Sequence, residues 1–374
     1  MIDTIVLMLD KFNTFKEERF MPQTKQFGNH IFYKHMRNPT KKEVKEFGYL
    51  PRVTLMKRFG DIKLKIEFSA PKLVFGNNFD ELTEKDFDKV VLALQKKLSF
   101  LDIDVFIPII ENSLVSGIHY SKNIPLTDGS IPYQYIKEVS KANINKLYDL
   151  NKTDYKDGGQ SIKFRANTFE VIFYDKMDDI KKAKISDKRT IENEYATQLD
   201  LFSKINIQKP FELLRMEVRL NSRGKIRQML KKINTQTEPT FKSLFKKKIS
   251  QKILLYYLSY IKKAYIPILH YKDTQAQNFY ADLLINNPKI RLNKSLEIMG
   301  LKTLLDEIGT TEFRNLAKRF GADKWYRLKR KTEGINYGQS KNNPFSLLEE
   351  SIHEFKTFKL VDFQDRMLNN DKYE

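Results

Sequence analysis

Three segments of the chain hold side chains that could act on a phosphodiester. In Leu214-Arg215-Met216-Glu217-Val218-Arg219-Leu220 apolar and charged residues alternate strictly. A β-strand here sets Arg215, Glu217 and Arg219 on one face and the four apolar residues on the other. A carboxylate between two guanidinium groups suits phosphate chemistry, because it can bind a hard cation while the arginines hold phosphate oxygens. The same pattern also describes a solvated strand whose cross-strand ion pairs only keep it soluble. Tyr174 closes the apolar run Val171-Ile172-Phe173 and is followed by Asp175-Lys176. A tyrosine ending a strand can present its hydroxyl to a cleft. Its ordinary pKa of about 10 means that, as a nucleophile, it needs a neighbouring cation, and Lys176 is a candidate. With 18 tyrosines in the chain, packing is the simpler role for any one of them. Glu67 lies on the charged face of Lys63-Leu64-Lys65-Ile66-Glu67-Phe68-Ser69, and His119 lies in Ile118-His119-Tyr120-Ser121. Read singly, Glu67 is an ordinary exposed acid and His119 a satisfied core histidine. The five histidines include no His-hydrophobic-His pair, which tells against a nickase of the two-histidine type.

The elements that must position these groups follow from periodicity. Residues 2–9 read as a buried strand. Strands 49–59 and 61–69 join at Gly60-Asp61. Residues 83–100 form an amphipathic helix with Thr83 as N-cap, Asp86 three residues on, and Phe87, Val90, Val91, Leu94 and Leu98 as its buried stripe. Strands follow at 104–110 and 114–122, then a helix at 132–148 and a hairpin of 161–165 with 168–174 around Ala166-Asn167. A charged helical stretch covers 178–204, and 213–220 returns as strand. Residues 12–45 show no clear period. Beyond Gly224 the strand signal fades. Residues 242–268 are helical and basic, and 292–330 carry at least two helices with breaks near Gly309 and Gly321. Within them, 304–308 followed by 313–320 has the shape of a helix-turn-helix. The expected class is α+β: an antiparallel-sheet domain with flanking helices over residues 1–235, then a mainly helical, basic domain over 236–374. The boundary is placed in the polar, proline-terminated stretch 232–240.

Composition narrows the partners. The 374 residues carry a net charge of +20, an excess that calls for an anionic partner, most often nucleic acid. A generally lysine-rich composition would give the same number without that role. There are no cysteines, which excludes disulfides, zinc knuckles and thiol catalysis and fits a reducing cytoplasm. The apolar opening carries Asp3, stops at Asp10 and has no basic n-region, so it does not read as a signal peptide. No apolar run reaches the length of a membrane span.

Four stretches, in order, resemble blocks of the gene II/gene X family of filamentous-phage and plasmid replication initiators. They are Met1-Ile2-Asp3-Thr4-Ile5-Val6-Leu7; Ile66-Glu67-Phe68-Ser69-Ala70-Pro71-Lys72-Leu73 with Gly76-Asn77-Asn78; Glu170-Val171-Ile172-Phe173-Tyr174-Asp175-Lys176; and Leu214-Arg215-Met216-Glu217-Val218-Arg219. A weaker fifth is Val115-Ser116-Gly117-Ile118-His119-Tyr120, where relatives carry an acid in place of His119. The resemblance spans residues 1–230 and continues less clearly toward 335.

The resemblance implies a rolling-circle initiator whose first domain is a nuclease. Tyr174 would attack an origin phosphodiester, giving a 5′-phosphotyrosyl link and a free 3′-hydroxyl that primes a polymerase. Rejoining then needs no nucleotide cofactor. A divalent metal, Mg²⁺ or Mn²⁺, would be held by Glu67, His119 and Glu217, while Lys176, Arg215 and Arg219 hold phosphate oxygens. The implied partners are single-stranded or supercoiled origin DNA and a host helicase and polymerase in the bacterial cytoplasm, with no membrane. Lys72, Lys246, Lys247, Lys248, Arg314, Arg327 and Lys329 are candidates for the DNA backbone, and Trp325 for stacking on unpaired bases. Two other readings stay open: a non-catalytic origin-binding initiator that recruits a helicase, and a basic RNA-binding protein.

Overall fold

A computed structural model describes residues 1–12, 21–27, 30–58, 61–127, 129–142, 152–156, 160–183, 212–264, 267–270, 275–321, 323–332, 334–337 and 344–362. Within them, ten strands form one antiparallel sheet: β1 (Ile2–Leu9), β2 (Met21–Phe27), β3 (His30–Arg37), β4 (Arg52–Arg58), β5 (Asp61–Ser69), β6 (Leu114–Leu126), β7 (Lys152–Lys156), β8 (Ser161–Arg165), β9 (Phe169–Asp175) and β10 (Glu212–Leu220). Their order is β2-β3-β4-β5-β1-β6-β10-β9-β8-β7. The antiparallel strands β1 and β6 lie side by side at the centre. Each is followed by a four-strand run whose last member returns to flank it, β5 beside β1 and β10 beside β6. The expected α+β class with an antiparallel sheet is therefore observed.

Alternation along these strands makes one face apolar. Ile5 and Leu7, Leu64 and Ile66, Ile118 and Tyr120, Met216 and Val218, and Val171 and Phe173 are all buried in a single cluster. Helices cover it. After α1 (Lys41–Phe47) and α2 (Ala70–Phe75), α3 (Phe87–Ser99) buries the stripe read from the sequence, entered through the expected Thr83–Asp86 capping box. Next comes α4 (Ile107–Asn112), where a strand was expected at 104–110. Pro108 decides this: proline fits the first turn of a helix but cannot donate within a ladder. Then follow α5 (Pro132–Ser140) and α6 (Lys176–Ala183). The remainders of the helices expected at 132–148 and 178–204 lie largely outside the described residues.

The expected domain boundary at 235/236 is crossed by the core. After α7 (Arg223–Lys232), α8 (Phe241–Leu244) and α9 (Lys247–Ala264) pack on the sheet. The Tyr120 hydroxyl donates to the Leu244 carbonyl (3.2 Å), the Ser250 hydroxyl donates to the Met1 carbonyl (2.9 Å), and the Tyr257 ring lies 5.1 Å from that of Phe169. The polar stretch before α8 is an exposed loop stitched to β6, with Val115 N donating to Pro239 O (2.9 Å). Its composition marks a surface, not a division. Beyond lie α10 (Ala276–Asn286), α11 (Leu292–Ala317), α12 (Lys324–Thr332) and α13 (Pro344–Glu354). The break expected near Gly309 is observed: Gly309 is non-helical (φ 75°, ψ 168°), so residues 304–308 and 313–317 belong to two helical segments that meet there within α11. The second expected break, at Gly321 (φ 128°), follows before α12. Among the described residues no helix is long and apolar enough to cross a membrane.

A loop after Gly76 ties the last described segment to the sheet. Glu81 N donates to Phe358 O (2.9 Å). The buried Glu81 carboxylate accepts from Lys122 Nζ (2.6 Å), Asn123 N (2.7 Å) and Phe358 N (3.0 Å). Burial alone would raise its pKa, but Lys122 prevails and holds it down at about 2. A carboxyl held below its unfolded value stabilises the fold above pH 4.5, and this stability is lost as pH falls toward 2. We expect urea unfolding of the native chain to lose roughly 3 kcal/mol over that interval from this group alone. The gap between the native chain and Glu81→Gln should therefore narrow on acidification, and a constant gap would remove Glu81 from the acid response.

Candidate metal and phosphate site on the open sheet face

Register brings the chemistry together. Because β10 lies between β6 and β9, Arg215 faces Asn123 and Tyr174, Glu217 faces Ser121 and Ile172, and Arg219 faces His119 and Glu170. Cross-strand partners share a face, so Tyr174, Arg215, Glu217, Arg219 and His119 meet on the side opposite the apolar cluster. A sixth residue joins them through an irregularity in β1. Ile2 pairs with Tyr120 and Ile5 with Ile118, so three steps along β1 match two along β6. Such a bulge re-aims side chains. It keeps Ile2 and Ile5 in the core and turns Asp3 toward Arg215 (3.4 Å).

Glu217 is the hub and is only 2% exposed. Its Oε1 accepts from Arg219 Nε (2.8 Å) and lies 3.3 Å from His119 Nδ1, and its Oε2 accepts from the Tyr174 hydroxyl (3.2 Å). Ligand atoms of Asp3, His119 and Glu217 all lie within 4.8 Å of one another. On the other side stand buried cations. Arg215 donates Nε to Asn123 Oδ1 (2.6 Å) and Nη2 to the Asn78 carbonyl. Asn123 in turn donates Nδ2 to the Phe79 carbonyl (2.6 Å). Lys176 Nζ is 5.7 Å from both the Tyr174 and the Phe79 ring centres and pairs with Asp179 (3.4 Å).

These surroundings set the protonation states. Burial pushes the Tyr174 phenol well above 10; Arg215 opposes the rise, and the Glu217, Asp179 and Asp3 carboxylates add to it. Burial also works to raise Glu217, but Arg219 and His119 hold it well below the usual carboxylate range. Burial, helped by Arg215, lowers Lys176 to about 8. At neutral pH the site is thus a protonated phenol hydrogen-bonded to a carboxylate, with cations behind it.

Of the residues expected from sequence, Tyr174, Lys176, Arg215, Arg219, His119 and Glu217 converge. Arg215 is buried rather than solvent-facing. Glu67 does not join them. It sits on β5, three strands from β10 and so about 14 Å across the sheet by strand spacing alone. Its carboxylate pairs with Lys65 (3.2 Å) and is 38% exposed. Asp3 takes the place expected of Glu67. The signal was in the sequence, as an aspartate inside an otherwise apolar strand, but a bulge is needed to aim it. Asn123, which fixes Arg215, was also missed, because it lay beyond the end expected for its strand.

The expected DNA contacts divide. Lys246, Lys247 and Lys248 are exposed at the start of α9, and Arg327 is exposed on α12, paired with Asp323 (2.6 Å). Lys72 is half-buried beside the Tyr49 ring (5.7 Å), Lys329 is half-buried, and Arg314 donates to the Tyr326 hydroxyl (3.2 Å). Trp325 is a correction. It is 2% exposed, packed edge-on against Phe313 at 5.8 Å, and cannot stack on bases. It occupies the inward face of α12 with Thr332.

No family model, curated protein or solved structure matches the chain.

Two carboxylates and an imidazole at this spacing suit a hard divalent cation such as Mg²⁺ or Mn²⁺, the imidazole favouring Mn²⁺. We expect Asp3→Asn to weaken Mn²⁺ binding in titration calorimetry by more than about tenfold, while Glu67→Gln leaves it within about twofold. The reverse order would return Glu67 to the ligand set.

Proposed function

We propose that the chain is a metal-dependent DNA nicking-and-joining enzyme that initiates rolling-circle replication. The observation that carries this reading is the Tyr174 hydroxyl 3.2 Å from Glu217, at the meeting point of Asp3, His119 and the buried Arg215 and Lys176. In this reading the Tyr174 proton passes to Glu217 or to water. The phenolic oxygen then attacks phosphorus, forming the P–O(Tyr) bond as the P–O3′ bond breaks, and the 3′ oxygen leaves and takes a proton. The products are a 5′-phosphotyrosyl link and a free 3′-hydroxyl, and attack by a 3′-hydroxyl reverses the step and rejoins the strand. Arg219, whose side chain is 32% exposed, would meet the non-bridging oxygens, while the buried Arg215 and Lys176 supply positive potential behind the pentacoordinate state. Asp3, His119 and Glu217 would hold the cation, which when bound neutralises phosphate charge.

The substrate in this reading is single-stranded or supercoiled origin DNA in a bacterial host's cytoplasm, with host polymerase extending the 3′ end and a host helicase opening the duplex. One observation favours a second reading, a non-catalytic origin-binding initiator: a phenol held so far above its ordinary pKa is a good structural donor. The deciding experiment incubates the chain with a supercoiled plasmid carrying the origin of the element that encodes it, with Mg²⁺ or Mn²⁺, and looks for a protein–DNA band that survives denaturation. No band under either metal favours the second reading.

A further inference from the structure

We infer that α12 is a separate nucleic-acid contact, one that lies in the major groove of duplex DNA. It takes its polymer from the reading above but uses none of the sheet-face residues. Helix α12 is clamped by its inner side. Trp325 packs edge-on against Phe313 of α11, Thr332 is buried, and Arg314 Nη2 donates to the Tyr326 hydroxyl (3.2 Å). The connection from α11 runs through a short turn, Lys318–Phe320, into Gly321 at φ 128°. A side chain there would be strained, and its Cβ would meet the Asp323 carboxylate at 3.3 Å. A glycine turn and an aromatic contact thus join the two helices by the inner side of α12 and leave its other side outward.

That outward side is cationic. Lys324, Arg327, Arg330 and Lys331 are exposed, and at about 100° per residue they fall within roughly one third of the circumference. Lys318 and Arg319 extend the patch along the turn. Residues 314–331 contain eight Lys or Arg and a single acid, Asp323. Two of the cations have carboxylate partners, Arg327 with Asp323 (2.6 Å) and Lys331 with Glu297 (2.7 Å). These pairs are exposed, and such pairs are weak enough to exchange for phosphate. The aromatic rings of α12 are engaged elsewhere, Trp325 in the core and Tyr326 under Arg314 at 5.8 Å. The outer face of α12 itself therefore offers charge without an aromatic ring, which suits a duplex better than an unpaired strand, and the exposed Phe320 stands in the turn ahead of it. A helix about 10–12 Å across fits a major groove about 12 Å wide.

The test measures polarisation of a labelled mixed-sequence DNA duplex, its single strand and the RNA duplex of the same sequence. It uses the full chain without metal, over a series of salt concentrations. For the double variant K324Q/R330Q the duplex-DNA slope of log K against log salt should become shallower by about 1 to 2, with at least about tenfold weaker binding. Adduct formation on a single-stranded origin oligonucleotide should stay within about twofold. Both side chains are exposed, so the melting curve should match the native one; R327E, a charge reversal on the same face, should shift duplex binding further in the same direction. An unchanged duplex slope in both variants, an equal loss on the single strand, or native RNA-duplex binding as tight as DNA-duplex binding would overturn the assignment. Failure of the nicking reading would appear differently, as no adduct from the native chain with duplex binding intact.

Discussion

Tyr174→Phe should erase the denaturation-resistant protein–DNA band while leaving the fold and DNA binding in place. The substitution removes one oxygen. The hydrogen bond that goes with it is one of several on Glu217, whose carboxylate keeps Arg219 and His119. Loss of one such bond typically costs about 1 kcal/mol, so the melting temperature should fall by only a few degrees. Adduct yield should drop to background, about 10⁴-fold or more, because no other group replaces an attacking atom. The Tyr174 proton is held tightly by burial and by three neighbouring carboxylates. With metal present, the native adduct rate should therefore climb with pH across the range where the fold survives. Adduct formation by the Phe variant at native rates would show that another tyrosine attacks, and the role assigned to position 174 would have to be withdrawn.

Glu217→Gln should damage both stability and chemistry. The carboxylate is buried and answers Arg219, so an amide leaves that guanidinium, among the described residues, with the Glu170 carboxylate at 3.5 Å. Removing one partner of a buried ion pair typically costs 3–5 kcal/mol, that is about 3 to 5 kcal/mol of unfolding free energy here. A neutral amide also weakens the cation set with Asp3 and His119, so adduct formation should fall by about 10³-fold even at saturating Mn²⁺. A third readout separates this from simple loosening. Glu217 is one of the carboxylates that raise the Tyr174 phenol, so its removal should lower the phenol's pKa in a spectroscopic titration. A variant that stays folded and yields adduct within tenfold of the native chain would show that Glu217 is only a structural anchor.

Much of this site was legible before any fold was known, and the reason is period. Strict alternation across 214–220 placed Arg215, Glu217 and Arg219 on one face, and the hairpin at 161–174 delivered Tyr174 to the neighbouring strand. What alternation cannot supply is strand order. Glu67 and Glu217 look alike in sequence, each an acid on the polar side of a strand, yet three strand spacings separate β5 from β10. Asp3 was hidden for the opposite reason, since a regular β1 would not have aimed it at Arg215, and only the slip between Ile2 and Ile5 does so. Trp325 shows the limit of composition, because a tryptophan in a basic stretch suggests stacking on bases until helical spacing puts it on the inward side with Thr332. The segment at 232–240 misled in the same way: polarity and proline marked exposure, while the apolar residues of α8 and α9 continued the same core.

The central place of β1 and β6 has a consequence for synthesis. Asp3 and its partner Arg215 are 212 positions apart, and β10 must slot beside β6 before the two can meet. Contacts this distant along the chain close late. A ribosome-bound fragment that ends before residue 212 therefore carries the Asp3 carboxylate without Arg215, Arg219 or the hub glutamate. The cluster on the open sheet face is complete only once the sheet's last strand has been laid in.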